Sequence, residues 1–316
     1  MTTGFSLVFR RPYLIIVPFL VDLLVSARLG LSAEPLVQSA VARIMSALAS
    51  GPLSPDQLLD INAQVTQVTD AVASWNLLGI LGWQVPNFLG LGSVDTSGPH
   101  IVIASYASLV PLLLALALGG VLIACLFLGP LGQVVRTRTL NLSTFAPRLA
   151  GLWLRLTGYL GLVILLALAL GIAALLVIAL VTAISPAVAS LLILLAIGAG
   201  LLAAIYLFLG DEAVVVGDAG PVRALKESVS IALRHFWSVL GLFLLVNVLS
   251  QGLGLVWRAL GSSQTGLWIA MAGNAFIATG LVASVMVYYW GRRPIVSEPA
   301  LSPIENSGLS ASKRDG

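Results

Sequence analysis

The chain has 316 residues, of which 59% are hydrophobic and only 9% are charged, and its mean hydropathy is +1.03. Soluble domains are about 45–50% apolar and about 25% charged, so this composition excludes an ordinary soluble protein and indicates that lipid solvates most of the chain. The single cysteine excludes an intrachain disulfide or a cysteine metal cluster, and the net charge of +3 gives no reason to expect a nucleic-acid partner.

Six apolar runs are long enough to cross a bilayer. A hydrocarbon core of about 30 Å requires about 20 mostly apolar residues per helix. The runs that meet this length cover residues 12–31, 101–128, 156–184, 187–209, 236–257 and 267–290. We therefore predict an all-α polytopic membrane helical bundle with six transmembrane helices, formed by residues 1–290. We expect it to be a multi-pass protein of the inner or plasma membrane.

The distribution of Lys and Arg orients these spans. Basic residues cluster before the first run, between the second and third, between the fourth and fifth, and after the sixth: Arg10, Arg11, Arg136, Arg138, Arg148, Arg155, Arg223, Lys226, Arg234, Arg292, Arg293, Lys313 and Arg314. The positive-inside rule then places both termini in the cytoplasm and makes residues 32–100 an extracytoplasmic helical insertion. A cleavable signal in place of the first span is the alternative, because Arg10 and Arg11 precede an apolar stretch that ends in small residues.

The first run contains one carboxylate, Asp22, about ten residues from its start. An ionised carboxylate near the bilayer centre costs about 2.5–3.5 kcal/mol on insertion scales. Asn247, Gln251 and Asn274 are polar residues of the fifth and sixth runs. Together these four residues are a candidate intramembrane polar site that takes a proton or a cation. The alternative is structural, with Asp22 hydrogen-bonded to Asn247 or Asn274, and the sequence leaves both interpretations open.

The insertion carries an apolar stripe with helical spacing. Ser54 and Gln57 form a capping-box pattern at the start of a helix. The stripe that follows comprises Leu58, Ile61, Val65, Val68, Val72 and Trp75. We predict that it packs within the protomer or against a partner chain, which includes self-association. The next apolar segment, residues 76–92, is too short to span, so we expect it in the outer headgroup region, with a re-entrant hairpin as the alternative.

Two cytoplasmic segments, about 143–155 and 220–235, are predicted to be amphipathic helices that lead into spans. In the second, basic residues fall between apolar residues of helical spacing. The candidate surface for membrane lipids or a protein partner comprises Arg223, Lys226, Arg234 and Trp237. Asp211 and Glu212 precede it, and we expect them to form ion pairs with its arginines or, alternatively, to bind a cation.

No set of residues typical of an enzyme is visible. The only histidines, His100 and His235, are predicted to lie on opposite membrane faces, which argues against a histidine metal site or acid–base pair. Neither lysine has the spacing of a phosphate-binding P-loop, and neither a G-x-S-x-G nor an H-E-x-x-H pattern occurs. We therefore expect no enzymatic activity, cofactor or metal. Residues 291–316 are rich in Ser, Pro and charge and are predicted to be a disordered cytoplasmic tail.

The stretch "DEAVVVGDAGPVRALKESVSIALRHFW", residues 211–237, resembles a group of bacterial and archaeal membrane proteins related to the glycerophosphoryl diester phosphodiesterase membrane domain. The matching positions are Val214 to Val216, Gly220, Pro221, Ala224, Leu225, Ser228, Phe236 and Trp237. The resemblance implies a bundle of six or so helices with largely unknown activity. In members fused to a phosphodiesterase, catalysis belongs to a separate soluble domain, which this chain lacks.

These observations favour a non-enzymatic accessory or scaffold protein that binds lipids or protein partners. The alternative is a transporter or channel component that uses Asp22.

Overall fold

A computed structural model describes residues 2–26, 30–50, 61–63, 65–67, 69–70, 72, 75–85, 100–261 and 263–293. Its helices are α1 (Thr2–Phe9), α2 (Ile16–Ser26), α3 (Glu34–Ala49), α4 (Tyr106–Thr137), α5 (Leu142–Phe145), α6 (Leu149–Ile184), α7 (Pro186–Leu207), α8 (Gly210–Val215), α9 (Pro221–Arg234), α10 (Phe236–Leu260) and α11 (Gln264–Arg292). Short 3-10 helices cover Pro12–Ile15, Leu77–Gly82 and Ala146–Arg148. The predicted tail beyond residue 293 lies outside the described residues.

Five helical segments in the described part of the chain are long and apolar enough to cross a membrane. They are Tyr106–Thr137, Leu142–Thr182, Pro186–Val215, Phe236–Trp257 and Thr265–Arg292. The molecule is therefore an α-helical bundle with the composition of a membrane protein. The first predicted span corresponds to a shorter apolar segment, Pro12–Leu24. At about 1.5 Å per helical residue, it is shorter than the hydrocarbon core.

The two edges of the insertion form a small parallel sheet where helix ends were expected. β1 (Gly30–Ser32) pairs with β2 (His100–Val102). Consequently α2 ends at Ser26, before the predicted boundary at residue 31, and α4 begins at Tyr106 instead of residue 101. The apolar residues of both strands extended the apparent spans, because hydropathy by itself does not distinguish a strand from a helix.

The boundaries near the second loop also differ from the prediction. α4 continues past residue 128 to Thr137, where Arg138 adopts a left-handed conformation with φ of 60° and ends the helix. Residues 143–155 are not a separate amphipathic helix. Asn141 caps the one-turn helix α5, and α6 already begins at Leu149, because no residue between Leu149 and the long apolar run interrupts the helix.

α1 is a helix that the apolar runs did not indicate. It packs along α11, with the rings of Phe5 and Phe276 6.4 Å apart, and it contributes Leu7 and Val8 to the main core. α2 also packs chiefly against α11, and less against α4, which follows it in the chain. Eight residues are too few for a span, so only tertiary contacts reveal the role of α1.

The 3-10 helix Leu77–Gly82 packs against the middle of α4. Leu81 and its neighbours surround the buried Leu116, and a Cβ placed on Gly120 would lie 2.7 Å from the backbone oxygen of Ile80. A glycine is therefore required where the two backbones meet. This segment was expected at the outer headgroups, but it lies beside the centre of an apolar helix.

α6 and α7 form a hairpin that is exposed over most of its length. Hydrophobic side chains face outward around both helices, from Ile164 to Leu180 on α6 and from Val188 to Leu202 on α7. A helix that is hydrophobic all round is typical of a segment surrounded by lipid. The hairpin therefore has an apolar surface suited to contact with lipid. The main core lies nearer the C-terminal ends of α4 and α11 and the N-terminal end of α6.

Basic residues collect at one end of the bundle, which we call the arginine-rich end. Arg11, which caps the 3-10 helix Pro12–Ile15, donates a hydrogen bond to the backbone oxygen of Arg138 after α4. Arg155, in the early turns of α6, forms an ion pair with Asp218 before α9. The end of α11 lies at the same end, because Arg293, just after α11, is close enough to repel Arg136 at the end of α4.

Candidate functional site

Helix α9 is held against the arginine-rich end by a face of small side chains. Ala224, Ser228 and Ala232 are fully buried there. The hydroxyl of Ser228 donates to the backbone oxygen of Tyr206, at 2.7 Å, and accepts from the backbone N–H of Leu209, at 3.2 Å. Ser228 therefore joins α9 to the junction between α7 and α8.

One predicted surface residue, Arg223, is engaged within the protein. Its Nε donates to Glu227 Oε1 at 2.6 Å, one helical turn away. The other oxygen of Glu227 accepts a hydrogen bond from the hydroxyl of Tyr289 on α11, at 2.5 Å. Arg223 is thus part of a link between α9 and α11, and it is a weaker candidate for an external ligand than the sequence suggested.

The remaining outward surface of α9 is an open groove with two parallel rows of side chains. The rows comprise apolar Leu225, Val229 and Leu233 and polar Lys226, Ser230 and Arg234. Lys226 and Arg234 are exposed and form no ion pair with any described residue. Beside the groove, Trp237 is 80% exposed and contacts Phe236 edge to face. We call these residues together the α9 surface.

The candidate polar site is only partly assembled. Asp22 is 0% exposed, and Asn274 Nδ2 on α11 donates to its Oδ2 at 3.3 Å. Asn247 and Gln251 instead lie on an exposed face of α10, where Asn247 Nδ2 donates to the backbone oxygen of Phe243. The four-residue grouping is corrected to the pair Asp22 and Asn274, because the face of α10 that packs inward excludes positions 247 and 251.

The external stripe is described only in part. The described residues between 61 and 72 are helical, and Ile61, Val65 and Val72 are half-buried. Trp75 is 45% exposed. Leu58 and Val68 lie outside the described residues. A partner for this stripe stays a prediction.

Asp211 and Glu212 do not form the expected ion pairs with the arginines of α9. α8 turns Glu212 into the core, and Asp211 Oδ1 and Glu212 Oε2 are buried atoms with no hydrogen-bond partner in the described part of the chain. The pairing fails because α8 is a buried helix and not an exposed boundary. Among the described residues, no group of three or more His, Cys, Asp or Glu side chains could hold a metal ion.

A small cavity opens at the arginine-rich end, between the end of α4, the start of α6 and the link from α8 to α9. Its volume is about 40 Å³, and its polar lining consists of Gln133, Arg136, Thr144, Arg148, Arg155 and Asp218. A Cβ on Gly129 would lie 2.4 Å from the ring of Phe145. This glycine lets α5 approach α4. We call this site the arginine cavity.

The charges of the arginine cavity are not balanced. Arg155 Nη1 donates to Asp218 Oδ1 and, at 3.0 Å, to the backbone oxygen of Asp218. Arg136 and Arg148 form no ion pair with a described carboxylate. Gln133 Nε2 donates to Thr144 Oγ1 at 3.1 Å, and Gln133 Oε1 is buried without a described partner. The sequence located these arginines only as topology signals, because nothing local indicates that they converge.

A protein family described as a domain of unknown function, DUF7847, matches residues 62–291. The chain belongs to this family. The matched range contains α4 to α11 almost completely, and therefore both the α9 surface and the arginine cavity. The match shows no link to the glycerophosphoryl diester phosphodiesterase membrane domain. No curated protein and no solved structure matches the chain.

Proposed function

We propose that this member of the DUF7847 family is a non-enzymatic accessory protein of the prokaryotic inner membrane, with six spans and both termini in the cytoplasm. Its α9 surface binds the anionic lipids of the cytoplasmic leaflet. The observation that carries this proposal is the groove on α9, where Lys226 and Arg234 stand beside an apolar row while the opposite face of the helix is fixed to the bundle.

Charge complementarity favours anionic lipid as the occupant of the α9 surface. Amphipathic helices at a membrane surface place apolar side chains among the acyl chains and Lys or Arg among the headgroups. Each basic residue near an anionic leaflet contributes about 1 kcal/mol. Trp237, exposed at the start of α10, has the amphipathic ring that is typical of the interface.

A fluorescent probe on α9 tests this proposal. Ser230→Cys carries an environment-sensitive dye in the full chain, reconstituted in nanodiscs of phosphatidylcholine with or without phosphatidylglycerol. We expect a blue shift with phosphatidylglycerol that high salt reverses and that Lys226→Glu with Arg234→Glu abolishes. Arg43→Glu, an exposed charge change on α3, is the matched control.

Mass spectrometry of the protein purified gently from native membranes identifies the occupant. Retained anionic lipid that the double variant loses supports the proposal. A stoichiometric protein chain that the same variant loses would replace lipid as the partner. A dye that stays in water in every lipid mixture, with no retained lipid or chain, would contradict the accessory role.

A transporter or channel component is the second candidate, and the buried Asp22 favours it. Ionisable residues inside spans commonly mark ion or proton pathways. Asp22→Asn should then abolish uptake of a transported ion in proteoliposomes while the protein remains assembled. Unchanged uptake in this variant, or no uptake by the unmodified protein, would remove the transport candidate.

A further inference from the structure

We propose that the arginine cavity binds a phosphate oxyanion, supplied by a lipid headgroup or by a free phosphate compound. The site goes beyond the α9 surface, because none of its arginines belongs to α9. Either proposal can therefore fail without the other.

The first argument is the excess of positive charge. Arg136 is close enough to Arg148, Arg155 and Arg293 to be repelled by all three, and Asp218 is the one acid that attracts it among the described residues. The three guanidinium groups that line the cavity, set against the one carboxylate of Asp218, leave two positive charges, and Arg293 adds a further charge outside the lining. Asp218 already accepts two hydrogen bonds from Arg155 through its carboxylate and backbone oxygens. Arg136 and Arg148 therefore keep positive charge that no ion pair with a described carboxylate neutralises, which favours a bound anion.

The second argument is chemical. The planar guanidinium group offers a fork of N–H donors that matches phosphate oxygens, and such charge-assisted bonds are about twice as strong as neutral ones. Arg136 and Arg148 reach the cavity from separate elements, α4 and the 3-10 helix Ala146–Arg148, so they can approach one anion from two sides. The volume of about 40 Å³ accommodates a compact group, since one water needs about 10–15 Å³.

The third argument is depth. Residues 109–131 of α4 are uncharged and apolar, and Arg136 lies five residues beyond Leu131. At 1.5 Å per residue, its Cα is about 7–8 Å past the end of the apolar stretch. The headgroup layers add about 5–8 Å on each side of the hydrocarbon core. The arginine cavity therefore lies at the level of lipid phosphates.

Native mass spectrometry of the full-length protein in detergent tests this site, with dioctanoyl phosphatidic acid and dioctanoyl phosphatidylglycerol as probes. We expect one tightly bound lipid at this site, apart from lipid held by the α9 surface, and we expect it to bind about tenfold more weakly in both Arg136→Gln and Arg148→Gln, because each change removes charge-assisted hydrogen bonds. Arg223→Gln removes an arginine at the same end but outside the cavity, so its affinity should change less than about twofold.

Inorganic phosphate distinguishes the two sources. A rise in Tm with potassium phosphate over chloride at matched ionic strength, lost in Arg148→Gln, identifies a free phosphate compound as a competent ligand. Binding of the lipids without a phosphate response identifies the headgroup. Lys226→Glu with Arg234→Glu should leave both responses in place, which separates this site from the α9 surface.

The stability of the cavity variants without ligand distinguishes lost binding from lost folding. Without ligand, Arg136→Gln should keep or raise the Tm, because it relieves repulsion among the arginines. Equal binding by the unmodified protein and both cavity variants would overturn the proposal. So would a loss in Arg223→Gln as large as the loss in Arg148→Gln.

Discussion

The hydroxyl of Ser228 connects α9 to α7 and to Leu209, just before α8, through two hydrogen bonds. It is fully buried and bonds to the backbone at the end of α7 and within the break that separates α7 from α8. Buried backbone groups that lose their partner cost about 1–3 kcal/mol each. This residue therefore fixes where α9 meets the bundle.

Ser228→Ala should lower the Tm of the detergent-solubilised protein by several degrees, because both backbone groups lose their partner. Tryptophan fluorescence during heating measures the change. Ser230→Ala, two residues along on the groove side, is the control and should alter the Tm by less than about one degree, as for most surface substitutions. Equal shifts in the two variants would show that the bonds of Ser228 contribute nothing specific.

Two substitutions of Asp22 test whether its hydrogen bond with Asn274, and not only the volume of its side chain, stabilises the protein. Asp22→Asn keeps the shape and an oxygen that can accept from Asn274, so the Tm should stay the same or rise. Asp22→Leu leaves the Asn274 amide without this acceptor and should lower the Tm by several degrees. The same thermal unfolding measurement decides, and an equal or smaller loss in Asp22→Leu than in Asp22→Asn would contradict this role.

At the scale of elements, the segment from Trp75 to Val85 and helix α4 depend on each other. Gly120 is the central residue of the apolar stretch 109–131, so a bilayer centred on that stretch would place Leu77–Gly82 near its midplane. Irregular backbone at that depth must satisfy its polar groups within the protein. Asn76 contributes by accepting hydrogen bonds from the N–H groups of Leu31 and Leu78, both at 3.1 Å.

Gly120→Leu should displace this segment, because its side chain would occupy the place of the Ile80 carbonyl. With Cys125→Ala and Leu81→Cys, a membrane-impermeant maleimide should label position 81 only when residue 120 is Leu. Gly171→Leu is the matched control on α6, where nothing lies within 4 Å of an added Cβ. Labelling of position 81 that is already complete with Gly120 in place would show that the segment is not buried there.

At the scale of the whole molecule, the arginine-rich end and helix α3 should lie on opposite sides of the membrane. In a Cys125→Ala background, Arg43→Cys on α3 and Lys226→Cys on α9 place single exposed thiols on the two ends. An impermeant maleimide added to right-side-out vesicles should label position 43 directly and position 226 only after permeabilisation. Equal labelling of both positions in intact vesicles would contradict the proposed topology.

The sequence by itself determined the class of the protein and the helices of its second half. Runs of about 20 apolar residues are poorly solvated by water and match the thickness of the hydrocarbon core. Within lipid, a helix satisfies all of its own backbone hydrogen bonds, so composition alone implies a helical membrane protein. The 3.6-residue period of residues 221–234 likewise predicted an amphipathic helix close to α9. These are local properties of the chain, so the sequence shows them without knowledge of any distant contact.

Only the tertiary structure decided which distant residues meet. Asn274 and not Asn247 reaches Asp22 across 252 residues, and α1 becomes a packed helix through its contacts with α11. The arginine cavity exists because Arg136 and Arg148 converge with the Arg155–Asp218 pair. Hydropathy and periodicity record whether a residue faces lipid, water or protein, whereas the choice of partner depends on packing between elements that are far apart in sequence.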